Sequence, residues 1–154
     1  MEFMEILQEC PLFDQLEEKE IKTVTERCQL SSFKEGETII HEGTEGNELF
    51  VILNGKAKVC KMSDGGQLIS MADLRRGDFF GELVLISQKK RTASVLAMEH
   101  TDVLRMDYDE LLRLYQKNTK IFALLLLNIT RLVVRRLDRT NQNLKTLAER
   151  LLPS

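Results

Sequence analysis

Residues 80–97, FGELVLISQKKRTASVLA, contain a glycine, a carboxylate and a guanidinium that together suit a small anionic ligand. Gly81 permits close approach of the backbone to a ligand. Residues 82–86 are predicted to begin a short helix, and a helix N-terminus attracts phosphate. Arg91 adds a planar, two-pronged donor that matches phosphate oxygens. Glu82 would repel a phosphate, so we expect it to accept from a neutral hydroxyl. The pattern predicts a ribose phosphate ligand.

A simpler interpretation of the same two charges is a salt bridge between Glu82 and Arg91 across a loop. On spacing alone this interpretation is favoured, because surface ion pairs are common and a lone glutamate and arginine are weak signals. Only the wider sequence pattern can decide between a ligand site and a structural ion pair.

The elements that must position these residues fall into three zones. Residues 1–30 have the 3–4 apolar spacing of short helices, which Pro11 interrupts. All eight glycines lie within residues 31–106. Between them the sequence predicts strands at 37–41, 49–53, 56–62, 67–74, 92–97 and 103–106. Asn54-Gly55 is the strongest short hairpin signal, and residues 63–66 predict a second turn. Many short strands indicate a sandwich, roll or barrel.

Residues 107–152 contain no glycine or proline and are predicted to be helical. Asp107 followed by Glu110 resembles a capping box at the start of a short helix. A break near Asn118 precedes a helix of about 33 residues, roughly 50 Å long, that Pro153 should end. Such a helix is expected to extend beyond a domain of this size.

Apolar residues on this long helix follow an alternating 4, 3 spacing, which is the seam of a heptad repeat. The seam consists of Leu126, Thr130, Val133, Leu137, Thr140, Leu144, Leu147 and Leu151. Packing on the same chain can explain its first half, whereas the second half predicts a parallel homodimer. Arg135, Arg136 and Arg139 flank the seam and are expected to form a solvated face.

Charge, cysteine and histidine counts and the length of apolar runs argue against several classes of function. A net charge of −2 gives no global indication of nucleic acid or anionic membrane binding. Three scattered cysteines predict free thiols in the cytoplasm, and two histidines are too few for a metal-dependent β-roll enzyme. No apolar run approaches the ~20 residues of a membrane span. We therefore expect no enzyme, no metal and no membrane contact.

Four segments resemble one known family, the cyclic-nucleotide-binding domains. GELVLISQKKRTASV resembles the family's phosphate-binding cassette, and FKEGETIIHEGTEGNELFVILNGKAKV resembles its β-roll. ECPLFDQLEEKEI and VVRRLDRTNQNL resemble its N-terminal helix and its dimer helix. The resemblance covers residues 1–145 and is closest to the sensor domain of catabolite activator protein-like (Crp/Fnr-type) regulators.

The resemblance implies an α+β fold: an antiparallel β-roll, jelly-roll-like, with N-terminal helices and a long C-terminal dimerisation helix. It implies one domain over residues 1–154, divided into N-terminal helices (1–30), the roll (31–106, with the cassette at 80–94) and C-terminal helices (107–152).

The resemblance also assigns the binding residues. Glu82 would bind the ribose 2′-hydroxyl, and Arg91 the cyclic phosphate. Gly81 would let the cassette turn, and Thr140 and the partner subunit's Asn141 would contact adenine. The remaining implied residues are Thr92 and the N–H groups of Leu83 and Ala93 at the phosphate, and Val59, Met71 and Ala72 around ribose and base.

The sequence departs from the family pattern in places that affect the function. Lys89 and Lys90 stand where many members have small residues or proline. Thr92 matches cGMP-selective members, whereas Thr140 favours adenine, with Asn141 in place of a serine. No helix-turn-helix, kinase, channel or cyclase segment is visible, so no direct DNA binding is expected. The expected function is a dimeric cAMP sensor that signals to a separate partner; a cGMP sensor and an interaction subunit with a non-binding pocket are the alternatives.

Overall fold

The computed structural model describes residues 3–82 and 90–153. This part of the chain has four α-helices and eight strands. The helices are α1 (Phe3–Glu9), α2 (Glu18–Thr25), α3 (Tyr108–Lys117) and α4 (Thr119–Leu151), with a 3-10 helix at Pro11–Phe13. The strands are β1 (Gln29–Phe33), β2 (Thr38–Ile40), β3 (Glu48–Asn54), β4 (Lys56–Met62), β5 (Leu68–Arg75), β6 (Phe79–Phe80), β7 (Ser94–Ala97) and β8 (Thr101–Asp107).

The strands form two four-stranded sheets in which every described pairing is antiparallel. One sheet has the order β1-β8-β3-β6, and the other has the order β2-β7-β4-β5. Helices segregated from an antiparallel sheet pair make this an α+β fold. The predicted fold class, an antiparallel β-roll with N-terminal helices and a long C-terminal helix, is confirmed.

Strand β3 joins two apolar cores because both of its faces are covered. Leu49, Val51 and Leu53 belong to a core shared with the N-terminal helices and α4. Phe50 and Ile52, which point the other way along the strand, belong to a second core between the two sheets. Alternate burial on both faces explains why this strand is a continuous apolar run.

The predicted Asn54-Gly55 hairpin is wrong. Strands β3 and β4, which flank these residues, lie in different sheets, so the turn is a corner between sheets. Gly55 has φ +98°, and a Cβ there would lie 2.4 Å from the His100 carbonyl oxygen. The residue is therefore selected for close backbone approach and positive φ, which a hairpin and a corner both require. The second predicted turn does close a hairpin, with Met62 opposite Leu68.

The strand predictions were incomplete at two places. The prediction missed β1, which carries no strict alternation of apolar residues, and β6, which has only two residues. The strand predicted at 92–97 begins later, at Ser94, so Arg91 and Thr92 precede β7.

The C-terminal helices begin where predicted and α4 has the predicted length, but the cap of α3 differs. The N-cap Asp107 of α3 makes no side-chain capping bond, so the predicted capping box is absent. The Glu110 carboxylate instead accepts a hydrogen bond from Arg27 at one oxygen and from Arg113 at the other. Asn118 separates the two helices, as predicted, and its side chain accepts a hydrogen bond from the Ile121 backbone N–H.

Helix α4 has 33 residues and packs on the rest of the chain only over its first half. Ile121, Leu125 and Ile129 are buried in the first core, whereas every residue from 137 to 153 is exposed. The exposed part carries the second half of the heptad seam: Leu137, Leu144, Leu147 and Leu151 are 55–78% exposed. No helix in the described ranges has the combination of length and hydropathy needed to cross a membrane.

Candidate functional site

Gly81 lies where the chain leaves β6 and passes close to the start of β3. Its φ is +82°, and a Cβ would lie 2.8 Å from the Glu48 carbonyl oxygen and 3.0 Å from Nη1 of Arg91. A side chain at this position would strain the backbone and displace the arginine. The structure thus gives a specific reason for glycine at the start of the predicted binding segment.

Arg91 reaches from the segment before β7 to the start of β3. Its Nη1 donates to the Gly81 carbonyl oxygen (3.1 Å), and its Nη2 donates to the Glu48 carbonyl oxygen (2.8 Å). A Cβ on Gly46 would lie 2.1 Å from Arg91 Nε, so this glycine leaves the space that the guanidinium fills. The arginine is therefore held in a fixed place by backbone groups on two sides.

The backbone of Arg91 is fixed as firmly as its side chain. The Arg91 N–H donates to the Thr44 carbonyl oxygen and its own carbonyl accepts from the Gly43 N–H, both at 2.8 Å. Partial burial lowers the pKa of the Arg91 guanidinium, and the nearby carboxylates of Glu48 and Glu82 oppose that shift. Among the described residues no carboxylate is bonded directly to this guanidinium, and a partly desolvated cation of this kind is well suited to bind an anion.

Glu82 is buried, with 5% of its surface exposed, but its partner is not Arg91. Its carboxylate accepts a hydrogen bond from Nη1 of Arg136, while Nη2 of Arg136 donates to the Phe79 carbonyl oxygen at 2.5 Å. The guanidinium also lies 5.9 Å from the centroid of the Phe79 ring. The simple Glu82–Arg91 salt bridge is therefore wrong, and so is the solvated position expected for Arg136.

Arg136 is the residue of the site that the sequence did not reveal. It lies between Arg135 and Asp138 in a strongly charged stretch of α4 and has no local pattern of its own. The available signal was its helical phase: Arg136 follows Leu125 and Leu132, which pack against the core, at multiples of about 3.6 residues. A charged residue on the inward stripe of a helix requires a partner.

The other predicted site residues lie on two elements near this centre. Val59 of β4 is half-buried and opposite Ala72 of β5 in the strand register. Met71 is 57% exposed, Thr92 is exposed and Ala93 is half-buried. Leu83 lies outside the described residues. Val59, Met71 and Ala72 thus belong to the β4–β5 hairpin, and Thr92 and Ala93 belong to the segment that carries Arg91.

Thr140 and Asn141 lie on the exposed half of α4, one turn beyond Arg136. The Thr140 hydroxyl donates to the Arg136 carbonyl oxygen at 2.9 Å. Positions 136 and 140 share a helix face, so Thr140 lies on the side of α4 that carries the partner of Glu82. Thr140, the predicted base-contacting residue, therefore lies one helical turn from Arg136, the residue that binds Glu82.

A separate surface cavity of about 240 Å³ lies between α1, the 3-10 helix and α4. Its lining includes Asn128, whose side chain donates to the Leu12 and Asp14 carbonyl oxygens and joins α4 to the N-terminal segment. None of the predicted ligand-binding residues lines it. Within residues 3–82 and 90–153, no group of His, Cys, Asp and Glu side chains is arranged to hold a metal ion.

Comparison of the chain with known proteins identifies its family. The family model for the cyclic nucleotide-binding domain matches residues 30–118. The chain is 36% identical over 104 residues to a cAMP-dependent protein kinase regulatory subunit of Mycosarcoma maydis, covering 68% of this chain and 20% of that subunit. It is 32% identical over 143 residues to the CRP-like cAMP-activated global transcriptional regulator of Mycobacterium tuberculosis, covering 93% of this chain and 62% of that regulator.

A solved structure agrees with the sequence relatives. The crystal structure of the Thermus thermophilus catabolite activator protein matches with a TM-score of 0.79 and 29% identity, covering 90% of this chain and 63% of that one. The chain spans less than two thirds of the length of each of these three proteins. The family-model match and the shared fold lead to one conclusion: the chain belongs to the cyclic nucleotide-binding domain family.

Proposed function

We propose that this chain is a cAMP-binding sensor that acts as a homodimer and passes a ligand-dependent change to a separate protein partner. The observation that carries the proposal is the fixed, partly buried Arg91 guanidinium beside Gly81, with the buried Glu82 carboxylate adjacent in sequence. The relatives described as cAMP-dependent and cAMP-activated support cAMP as the ligand.

In this proposal Arg91 binds the cyclic phosphate. Its guanidinium is partly buried and is held by neutral backbone carbonyls, so its positive charge is available to an anion. The N–H groups of Leu83 and Ala93 and the Thr92 hydroxyl assist at the phosphate. Glu82 accepts from the ribose 2′-hydroxyl. The hairpin residues Val59, Met71 and Ala72 cover the ribose and base.

The signal starts at Glu82 in this proposal. Its carboxylate is bound to Arg136 of α4, so a ribose hydroxyl that binds Glu82 changes a contact of the long helix. A ligand shifts a conformational equilibrium only through contacts that differ between the two states. The Glu82–Arg136 pair is a contact of that kind.

Dimerisation would complete the site. The exposed apolar seam of α4 has the heptad spacing of a parallel two-stranded coiled coil. In such a dimer, Thr140 of this chain and Asn141 of the partner subunit both reach the base. We propose that the sensor is cytoplasmic and contacts neither DNA nor membrane directly, since its net charge of −2 gives no general attraction to either anionic surface.

Isothermal titration calorimetry with cAMP tests the proposal. Arg91→Ala should weaken binding by about 2–5 kcal/mol, the scale for losing one member of a buried charge pair. Lys90→Ala, which removes an exposed neighbouring charge, is the matched control and should change affinity little. Unchanged affinity in Arg91→Ala would contradict the assignment.

Calorimetry with both nucleotides and a thermal-shift measurement separate the alternatives. A cGMP sensor, which Thr92 favours, would bind cGMP more tightly than cAMP and would be insensitive to Thr140→Ala. An interaction subunit with a non-binding pocket would show no thermal shift with either nucleotide. A sensor at a ligand concentration of about 100 times Kd gains roughly 2.7 kcal/mol of stability.

A further inference from the structure

Strand β4 continues beyond its neighbour β7. The β4–β7 ladder ends at the pair Cys60–Ser94, whereas β4 runs on to Met62. On its other side β4 stays paired with β5 to the end, through Met62–Leu68. The end of the hairpin therefore has a strand neighbour on one side only, because the chain before Ser94 turns away to carry Arg91.

Glu42 occupies the position that β7 leaves. Its Oε2 accepts a hydrogen bond from the Met62 backbone N–H at 3.3 Å, and its own N–H donates to the Ser94 hydroxyl at 2.9 Å. One residue thus bonds the end of the hairpin with its side chain and the start of β7 with its backbone. A backbone N–H at a sheet edge that would otherwise face solvent receives a charged acceptor.

The two residues after Glu42 hold the arginine. The Gly43 N–H donates to the Arg91 carbonyl oxygen, and the Thr44 carbonyl oxygen accepts from the Arg91 N–H, both at 2.8 Å. The segment from Glu42 to Thr44 is consequently bonded to the hairpin at one end and to the backbone of Arg91 at the other.

We propose that Glu42 is a positioning residue that fixes the distance between the β4–β5 hairpin and Arg91, and so the width of the nucleotide pocket. The inference rests on the proposed function, in which Arg91 binds the phosphate and the hairpin covers ribose and base. Glu42 does not touch the ligand. Without its side chain, the end of the hairpin beyond the Cys60–Ser94 pair loses its bond to the segment that holds Arg91, and bound nucleotide dissociates faster.

The test combines a kinetic and a local measurement on the full chain. In Glu42→Ala, stopped-flow fluorescence with a fluorescent cAMP analogue should show dissociation faster by roughly tenfold, near the lower end of the scale for one hydrogen bond to a charged group. Amide exchange followed by NMR should show loss of protection at Met62. Glu42→Gln retains an acceptor oxygen and should restore both values to within about twofold of the wild type.

Glu45→Ala is the matched control, since Glu45 is an exposed carboxylate three positions later in the same loop. It should leave dissociation and Met62 exchange unchanged. Unchanged dissociation in Glu42→Ala, or a Glu42→Gln variant as fast as Glu42→Ala, overturns the positioning role. A wild-type protein that binds no cyclic nucleotide overturns the proposed function instead, and the Met62 exchange rate then still reports whether the Glu42 bond exists.

Discussion

Arg136 of α4 binds the carboxylate of Glu82, so the long helix is joined directly to the segment that follows β6. Arg136 lies at the boundary between the part of α4 that packs on the core and the part that is wholly exposed. Helix position and Glu82 position cannot change independently while this ion pair and the bond from Arg136 to the Phe79 carbonyl persist.

Arg136→Gln should lower the free energy of unfolding by about 1–3 kcal/mol, because Glu82 stays buried and loses its cation. The effect is smaller than for a fully buried pair, since the Arg136 side chain is 36% exposed. Urea denaturation measures it. The double variant Glu82→Gln/Arg136→Gln should recover part of the loss, and Arg139→Gln, on the exposed part of α4, is the control. A double variant less stable than Arg136→Gln would contradict the buried-pair argument.

Gly46→Ala should reduce cAMP affinity by roughly tenfold or more while leaving the fold intact, because the new methyl group displaces the Arg91 guanidinium. The atoms it meets belong to a flexible side chain, which can move without backbone strain. Gly65→Ala is the matched control, since its Cβ would meet nothing closer than the Ser63 hydroxyl at 3.8 Å. Calorimetry and thermal melts of both variants would show whether affinity and stability separate; an unchanged affinity in Gly46→Ala would sink the prediction.

Leu144→Glu should convert a dimer into a monomer with little change in the stability of the folded subunit. Leu144 is 63% exposed in the chain, so its loss costs the subunit little, whereas two glutamates would face each other in a parallel seam. Sedimentation equilibrium measures the mass. Gln142→Glu, on the opposite face of the helix, adds the same charge and should remain dimeric. A wild type that sediments as a monomer refutes the seam.

The thiols of Cys10 and Cys28 should make the protein less stable in alkali. Burial raises the pKa of each from 9.0 to about 12, and the carboxylates of Glu110 and Asp107 add to the effect at Cys28. The unfolded chain releases these protons near its lower pKa, so stability is complete below about pH 9 and declines from there towards pH 12. Urea denaturation between pH 8 and pH 11 should show a shallower decline in Cys10→Ala/Cys28→Ala, and an identical decline would argue against the thiols.

The sequence predicted the elements that have strong local patterns. The length of α4 and the break at Asn118 follow from an uninterrupted helical stretch and one capping side chain. The Asn54-Gly55 hairpin failed because the residue pair reports backbone conformation and not which strands pair. Sheet membership depends on contacts between residues far apart in the sequence, here β3 with β6 and β8.

The candidate site likewise has residues that the sequence predicted and residues that only the structure reveals. Gly81, Glu82 and Arg91 were found from one continuous segment. The partner of Glu82 was missed, because Arg136 lies 54 positions away and only the fold brings it there. The groups that hold Arg91 were also missed. Two of them are backbone carbonyls, which every residue type carries, and the space beside Gly46 is defined only by the fold.

The exposed half of α4 has a consequence for how the protein responds to its own concentration. A helical segment of about 15 residues without packing partners is marginal in water, since isolated helices shorter than ~12–15 residues rarely persist. Residues 137–151 are all exposed and find no such partners among the residues that the structure describes. If the proposed dimer forms, dilution below its dissociation constant should therefore fray this segment from its C-terminal end, with a loss of ellipticity at 222 nm. In the proposed dimer, assembly and helix formation are then coupled, so the protomer concentration determines how many residues of α4 beyond Arg136 are helical.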